Sequence, residues 1–227
     1  MTLTIISLAL IPVIILVVML VYTDRHNREP AGLLAKVFLF GLLASVPVLI
    51  IQVILNSVSA ATGIYGIIFQ SFIVAGLTEE FMKRQVVLRF AFRNPAFDEK
   101  LDGIIYCAFA ALGFAAIENV LYLFSYYPTT PSVALYRAAF SVPAHMLFGI
   151  TMGYYLSLSK YCNNPVLCRK YFNRSLVYPV LMHGTFNFLL SINLPMLLAF
   201  VPFVIFLWIY NMKKLNRFYK ESREMSQ

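Results

Sequence analysis

Residues 103–126 read GIIYCAFAALGFAAIENVLYLFSY, an unbroken apolar run that contains one charged residue, Glu118. A helix rises about 1.5 Å per residue, and about 20 apolar residues cross the hydrocarbon core of a bilayer. The run is therefore long enough to span. Its many alanines and glycines allow neighbouring helices to approach closely. We predict a membrane helix that packs inside a helical bundle.

The composition of the whole chain supports a membrane protein. Of the 227 residues, 60% are hydrophobic and 12% are charged, whereas soluble domains have about 45–50% apolar and about 25% charged residues. A membrane β-barrel would require apolar and polar residues to alternate, and the apolar runs here are continuous. The net charge of +8 is then typical of basic cytoplasmic loops, so we expect no nucleic acid as a partner.

Seven apolar stretches predict an all-α, polytopic transmembrane bundle with about seven spans. Their approximate bounds are 2–22, 36–57, 63–83, 103–126, 136–158, 175–193 and 195–212. No linker divides the chain, so residues 1–227 are interpreted as one integral membrane domain. Within it, the helices that carry the candidate site lie at about 63–193, and a basic tail follows at 213–227.

The basic residues predict the orientation of these spans. All 18 Lys and Arg residues except Arg137 fall in four segments, at 25–36, 83–100, 160–174 and 213–223. Because cytoplasmic loops are enriched in Lys and Arg, we place these segments in the cytoplasm. The N-terminus is then outside and the C-terminus inside.

Ionisable side chains within predicted spans are the main indication of function. Each costs roughly 2.5–3.5 kcal/mol at the centre of a membrane helix. The five are Glu79, Glu80, Glu118, His145 and His183. Taken singly, each could be a solvated helix end or a structural hydrogen bond between helices. Taken together, on four helices, they favour one polar site in the interior of the bundle.

The spacing of these residues suggests the chemistry of the site. Glu79 and Lys83 are four residues apart, in the order that favours an ion pair. His183 and Asn187 have the same spacing and so share a helix face. A buried carboxylate can act as a general base toward water, and His with Asn can stabilise an oxyanion. The same side chains could instead hold a metal ion that activates water.

Five short motifs resemble, in order and spacing, the PrsW family of intramembrane proteases. This family is related to the CAAX prenyl protease and bacteriocin-processing superfamily. The similarity extends from about residue 20 to 210. The matching elements are Glu79-Glu80 with Lys83; Phe97-Asp98-Glu99 with Asp102-Gly103; Gly113-Phe114-Ala115 with Glu118-Asn119 and Tyr122; Pro143 with His145 and Gly149; and His183 with Asn187.

The resemblance implies an endopeptidase of the bacterial cytoplasmic membrane. Its expected partner is a single-pass, membrane-anchored anti-sigma factor, cut near the extracytoplasmic face to free an extracytoplasmic-function sigma factor. The implied catalytic residues are Glu79, the general base; Glu80, its partner; and Glu118, His145, His183 and Asn187.

Three alternatives remain at the level of the sequence. Glu118 stands where the wider superfamily more often has histidine, which leaves fewer nitrogen ligands. We therefore favour a glutamic mechanism without a cofactor over a zinc-dependent metalloprotease acting on the same substrates. Buried Glu and His also occur in proton-coupled transporters and channels. A non-catalytic scaffold is the third alternative.

Overall fold

The computed structural model describes residues 2–192 and 196–225, apart from the side chains at 133, 134, 137, 138, 196 and 197. All of its regular structure in these ranges is helical, which confirms the predicted all-α class. The α-helices are α1 (Thr2–Thr23), α2 (Ala31–Leu43), α3 (Ser45–Val58), α4 (Gly63–Ile68), α5 (Thr78–Phe90), α6 (Lys100–Tyr126), α7 (Pro131–Lys160), α8 (Pro165–Ser191) and α9 (Met196–Met225). A π-helical segment, Phe69–Leu77, joins α4 to α5.

Five helical stretches in the described residues are long and apolar enough to cross a membrane. They are Thr2–Thr23, Ala31–Val58, Gly63–Phe90, Lys100–Tyr126 and Leu198–Met225. Helices α7 and α8 have 30 and 27 residues, which is sufficient length, but more polar residues. Seven spans and the orientation therefore stay predictions, and the predicted turn at 193–195 lies outside the described residues.

Helix α6 lies at the centre of the bundle. In its most apolar part 78% of the residues are buried, against 28–33% in the other four stretches. It packs against α1, α2, α5, α7 and α9. An N-terminal capping box sets its start, because the Asp102 carboxylate accepts the N–H groups of Asp98 (2.8 Å) and Glu99 (2.7 Å). The Phe97–Gly103 motif therefore has a structural role.

The predicted span at 36–57 contains a proline that weakens its helix. Helix α2 ends at Leu43 and α3 begins at Ser45, but Ala44 between them has helical dihedral angles and donates its N–H to the Phe40 carbonyl at 2.9 Å. Pro47 has no N–H to donate to the carbonyl one turn earlier, and its ring crowds that carbonyl. The two helices therefore form one continuous stretch, Ala31–Val58, that is weakened near Pro47.

The basic segment predicted at 213–227 is helical as far as the structure describes it. Helix α9 continues to Met225, and Lys214, Phe218 and Ser222 are buried against the bundle. This part of the predicted tail therefore packs on the other helices.

Glycines set the contact between α6 and α7. A Cβ atom at Gly153 would lie 2.0 Å from the carbonyl oxygen of Gly103. We expect Gly153→Ala to lower the free energy of unfolding by about 1–3 kcal/mol, since overpacking forces the backbones apart. Thermal unfolding in detergent measures this loss. Gly32→Ala is the control, because nothing lies within 4 Å of its Cβ position, and an equal effect of both would contradict the prediction.

Candidate active site

The ammonium group of Lys83 is the centre of a buried polar cluster. Its Nζ atom lies 2.7 Å from Glu80 Oε1, 3.3 Å from Glu79 Oε2 and 2.9 Å from His145 Nδ1. Glu79, Glu80, Lys83 and His145 are 5%, 0%, 0% and 3% exposed. The alternative of a solvated helix end is therefore wrong for this pair of glutamates.

The geometry of α5 explains how one lysine bonds both glutamates. Lys83 follows Glu80 by three residues and Glu79 by four, and both spacings bring side chains together on a helix. The predicted Glu79–Lys83 ion pair is confirmed, although the Glu80 contact is shorter. The preceding π-helical segment, Phe69–Leu77, is a rare form that often occurs next to functional sites.

His145 connects the cluster to Glu118. Its Nε2 atom lies 2.7 Å from Glu118 Oε2, and its Nδ1 atom faces Lys83. Because a carboxylate accepts and an ammonium donates, these contacts fit a neutral imidazole with its proton on Nε2. Glu118 therefore orients His145 so that the Nδ1 lone pair faces the cluster.

His183 enters the cluster from α8. Its Nδ1 atom lies 2.9 Å from Glu80 Oε1, and its Nε2 atom lies 3.9 Å from Glu79 Oε2. The imidazole stacks on the Phe148 ring, with 5.0 Å between ring centroids. Gly184 allows this approach, because a Cβ atom there would lie 2.2 Å from the ring of Phe72 in the π-helical segment.

The two glutamates have different surroundings. Glu79 lines a cavity of about 230 Å³ between α3 and α6, and Glu80 does not. The Glu79 carboxylate accepts hydrogen bonds from Gln52 Nε2 and from Lys83 Nζ, each 3.3 Å long. Glu80 Oε1, in contrast, is held at 2.7 and 2.9 Å. Glu79 is the carboxylate with room for a water molecule and a substrate.

A metal ion does not fit the cluster as it is arranged. One potential ligand atom from each of Glu79, Glu80, His145 and His183 lies within 4.8 Å of the others, and these donor types suit zinc. The Lys83 ammonium, however, bonds three of these four side chains. A dication at their centre would require the positive Lys83 side chain to leave.

The structure brings five of the six predicted site residues into one connected network, through α5, α6, α7 and α8. Asn187 lies one turn after His183 and is half-buried. Among the described residues its side chain makes no hydrogen bond with the network, so its role stays a prediction. Glu118 lies in the half of α6 nearer Tyr126, and His145 lies near the middle of α7.

Sequence reasoning missed two members of the site. Lys83 was interpreted only as a partner of Glu79, not as the central cation. Gln52 in α3 was not noticed, yet its Nε2 atom donates to Glu79 Oε1 and to the Val74 carbonyl at 3.2 Å. The sequence feature that could have identified Gln52 is its position as the only amide side chain in the apolar run of residues 46–55.

A second group of acids joins the α1–α2 loop to the start of α6. We name it the acidic cluster; its members are Asp24, Glu29, Glu99 and Asp102, all buried. Asp24 Oδ2 accepts the Glu29 N–H at 2.8 Å. Burial raises the pKa of Asp24 from 3.8 to about 7 against this hydrogen bond, and the charges of Glu29 and Glu99 add to the increase.

We expect an Asp24→Asn variant to have a larger free energy of unfolding than the wild type near pH 8. This gap between the two proteins should decrease as the pH falls toward about 5. Because the folded-state pKa is raised, protonated Asp24 favours folding at low pH. This contribution is lost as the pH rises toward about 7. The gap near pH 8 should be at most about 4 kcal/mol, since the pKa rises from 3.8 to about 7 and each tenfold change in proton affinity corresponds to about 1.4 kcal/mol. Unfolding curves at several pH values measure it, and a gap that does not depend on pH would contradict the assignment.

The chain is similar to known proteins over most of its length. The model of the PrsW family intramembrane metalloproteases matches residues 29–212. The chain is 39% identical to Protease PrsW of Clostridioides difficile (strain 630) over 220 residues, which cover 96% of this chain and 92% of that protein. It is 32% identical to Protease PrsW of Bacillus subtilis (strain 168), with 94% of each chain covered. No solved structure matches. The chain therefore belongs to the PrsW family of intramembrane proteases.

Proposed function

We propose that this membrane protease cuts a single-pass, membrane-anchored anti-sigma factor near the extracytoplasmic face, using water activated by Glu79. The observation that carries the proposal is the position of the Glu79 carboxylate, which lies on the α3–α6 cavity and beside the buried Lys83 ammonium. A base, a compensating cation and space for a peptide then occur together.

The proposed reaction needs only protein groups and water. Glu79 takes a proton from a water molecule while the water oxygen bonds to the scissile carbonyl carbon. The π-electron pair of the carbonyl group moves to the carbonyl oxygen, which becomes an oxyanion. Positive charge on Lys83 and the Asn187 amide would stabilise this oxyanion. Glu79 then gives its proton to the leaving amine as the C–N bond breaks.

In this proposal the other polar residues position the reacting groups. Glu80 holds both Lys83, at 2.7 Å, and His183, at 2.9 Å. Glu118 orients His145, whose Nδ1 atom accepts a hydrogen bond from the Lys83 ammonium. Removal of one of these groups should slow the reaction less than removal of Glu79.

We favour the metal-free version over the metalloprotease that the family description implies. The support is Lys83, whose ammonium bonds three of the four potential metal ligands. Purified enzyme should retain its activity after thorough chelation. Activity that disappears with the chelator and returns with zinc would overturn the metal-free mechanism.

The substrate proposal rests on the depth of the site. Glu118 lies eight residues before the end of α6 at Tyr126, which is about 12 Å at 1.5 Å per residue. In the predicted orientation this end faces outward, so the site would be reached from the outer leaflet. A single-pass protein cut near that boundary fits this depth.

Co-expression with candidate membrane-anchored anti-sigma factors tests the function. We expect one shortened product with the wild type and none with Glu79→Gln. A product that persists when Glu79, Glu80 and His145 are each replaced would refute the enzyme proposal. Proton or solute flux in liposomes that is abolished by Glu118→Gln would instead support the transporter alternative.

A further inference from the structure

The cavity beside Glu79 is a groove between α3 and α6. We name it the α3–α6 groove. Val48, Leu49 and Gln52 form one wall, and Phe114, Glu118 and Tyr122 form the other. Its volume is about 230 Å³. The groove between the two helices therefore reaches the carboxylate of Glu79, the candidate general base.

The groove combines apolar walls with polar groups. Besides Gln52, Ser45 and Ser125 line it. Their hydroxyl groups donate to the carbonyls of Leu42 and Leu121 and can still accept a hydrogen bond. Within a membrane, a polypeptide that is not helical needs partners for its backbone N–H and C=O groups. A cleavable peptide must be extended around its scissile bond, so a lining of this kind suits an unwound segment better than a lipid chain.

Helix α3 is only lightly attached to the rest of the bundle. Ser45 and Val48 are its buried residues, and large apolar side chains such as Ile50, Val53 and Val58 are exposed. Three side-chain hydrogen bonds join it to the π-helical segment and α5. Gln52 donates to the Val74 carbonyl and Glu79, and Gln70 donates to Asn56.

The junction between α2 and α3 lies at the other end of this helix. Ala44 keeps helical dihedral angles there, and Pro47 removes one hydrogen bond of the helical ladder. Helix α3 can therefore bend at this proline with a small further loss of backbone hydrogen bonds. A tilt away from α6 would widen the groove toward the lipid.

We propose that the α3–α6 groove binds the scissile segment of the substrate in extended form and that outward movement of α3 admits this segment from the membrane. This inference rests on the proposed protease function and assigns the binding site for its substrate. When α3 moves, Gln52 releases Glu79, so that the base becomes available as the peptide enters.

Photo-crosslinking tests the binding site directly. A benzophenone amino acid at Leu49, which lines the groove, is compared with the same residue at Ile50, which is 58% exposed on another face of α3. The probe is a single-pass membrane protein that the wild type cleaves, presented to the Glu79→Gln variant. We expect at least about fivefold more adduct from Leu49, mapped to residues around the cut site. Equal adducts, or more from Ile50, would overturn the proposal.

Locking α3 tests its movement. In a variant with Asn56→Cys and Gln70→Cys, a short bifunctional thiol reagent would join α3 to the π-helical segment. Cleavage of the membrane substrate should fall at least about tenfold, while each single-cysteine variant treated with the reagent keeps its activity. Full activity of the locked enzyme would overturn the movement of α3. If the wild type cleaves no membrane protein at all, the proposed function fails instead.

Discussion

Replacing Glu79 by Gln is expected to reduce the rate of peptide cleavage by about 10²–10⁴-fold, the usual contribution of a general base. The amide has nearly the same shape but cannot accept a proton from water. Because Glu79 lines the groove with two 3.3 Å contacts, the substitution should leave the fold and substrate binding largely unchanged. Single-turnover cleavage of a membrane substrate, with the crosslinking yield from Leu49 as the binding readout, measures both.

Glu80→Gln is the matched control for this effect. Glu80 is fully buried and its Oε1 atom bonds Lys83 and His183, so its replacement should lower stability as well as activity. We expect Glu79→Gln to reduce the cleavage rate strongly with little loss of stability, and Glu80→Gln to reduce the rate less and the stability more. The reverse order would exchange the roles of the two carboxylates.

Replacing Lys83 by Met is expected to lower the free energy of unfolding by roughly 3–5 kcal/mol, because it leaves buried carboxylates without their cation. Lys83 is fully buried and also lies over the Phe114 ring, 4.3 Å from its centroid. Thermal or denaturant unfolding in detergent measures the loss. Lys213→Met, at an exposed position of α9, is the control and should change stability little.

A double variant separates charge from packing at this position. Adding Glu80→Gln to Lys83→Met removes one uncompensated carboxylate, so part of the lost stability should return, although catalysis should not. If the double variant is less stable than Lys83→Met, the loss comes from packing rather than from charge. Zinc binding by the Lys83→Met variant but not by the wild type would show that the ammonium keeps a metal out of the wild-type site.

The most apolar helices were predictable to within a few residues, since membrane length and apolar runs constrain them strongly. Helix α6 starts at Lys100 instead of 103 and ends at Tyr126 as predicted. Helix α8, in contrast, begins at Pro165 instead of 175, and α9 extends to Met225 instead of 212, because polar residues continue these helices beyond the apolar runs. The π-helical segment before Glu79 was missed, because its residues are as apolar as those of an α-helix.

The amino-acid sequence was sufficient to predict that costly ionisable residues lie in membrane helices, because composition, run length and charge distribution are properties of the chain alone. Short motifs also related these residues to a protease family. The contacts between them became known from the packing of the helices. Lys83 joins both glutamates and His145, Glu118 orients His145, and Gln52 contacts Glu79. These contacts depend on which helix faces meet, and packing between helices, not spacing along one helix, sets those faces.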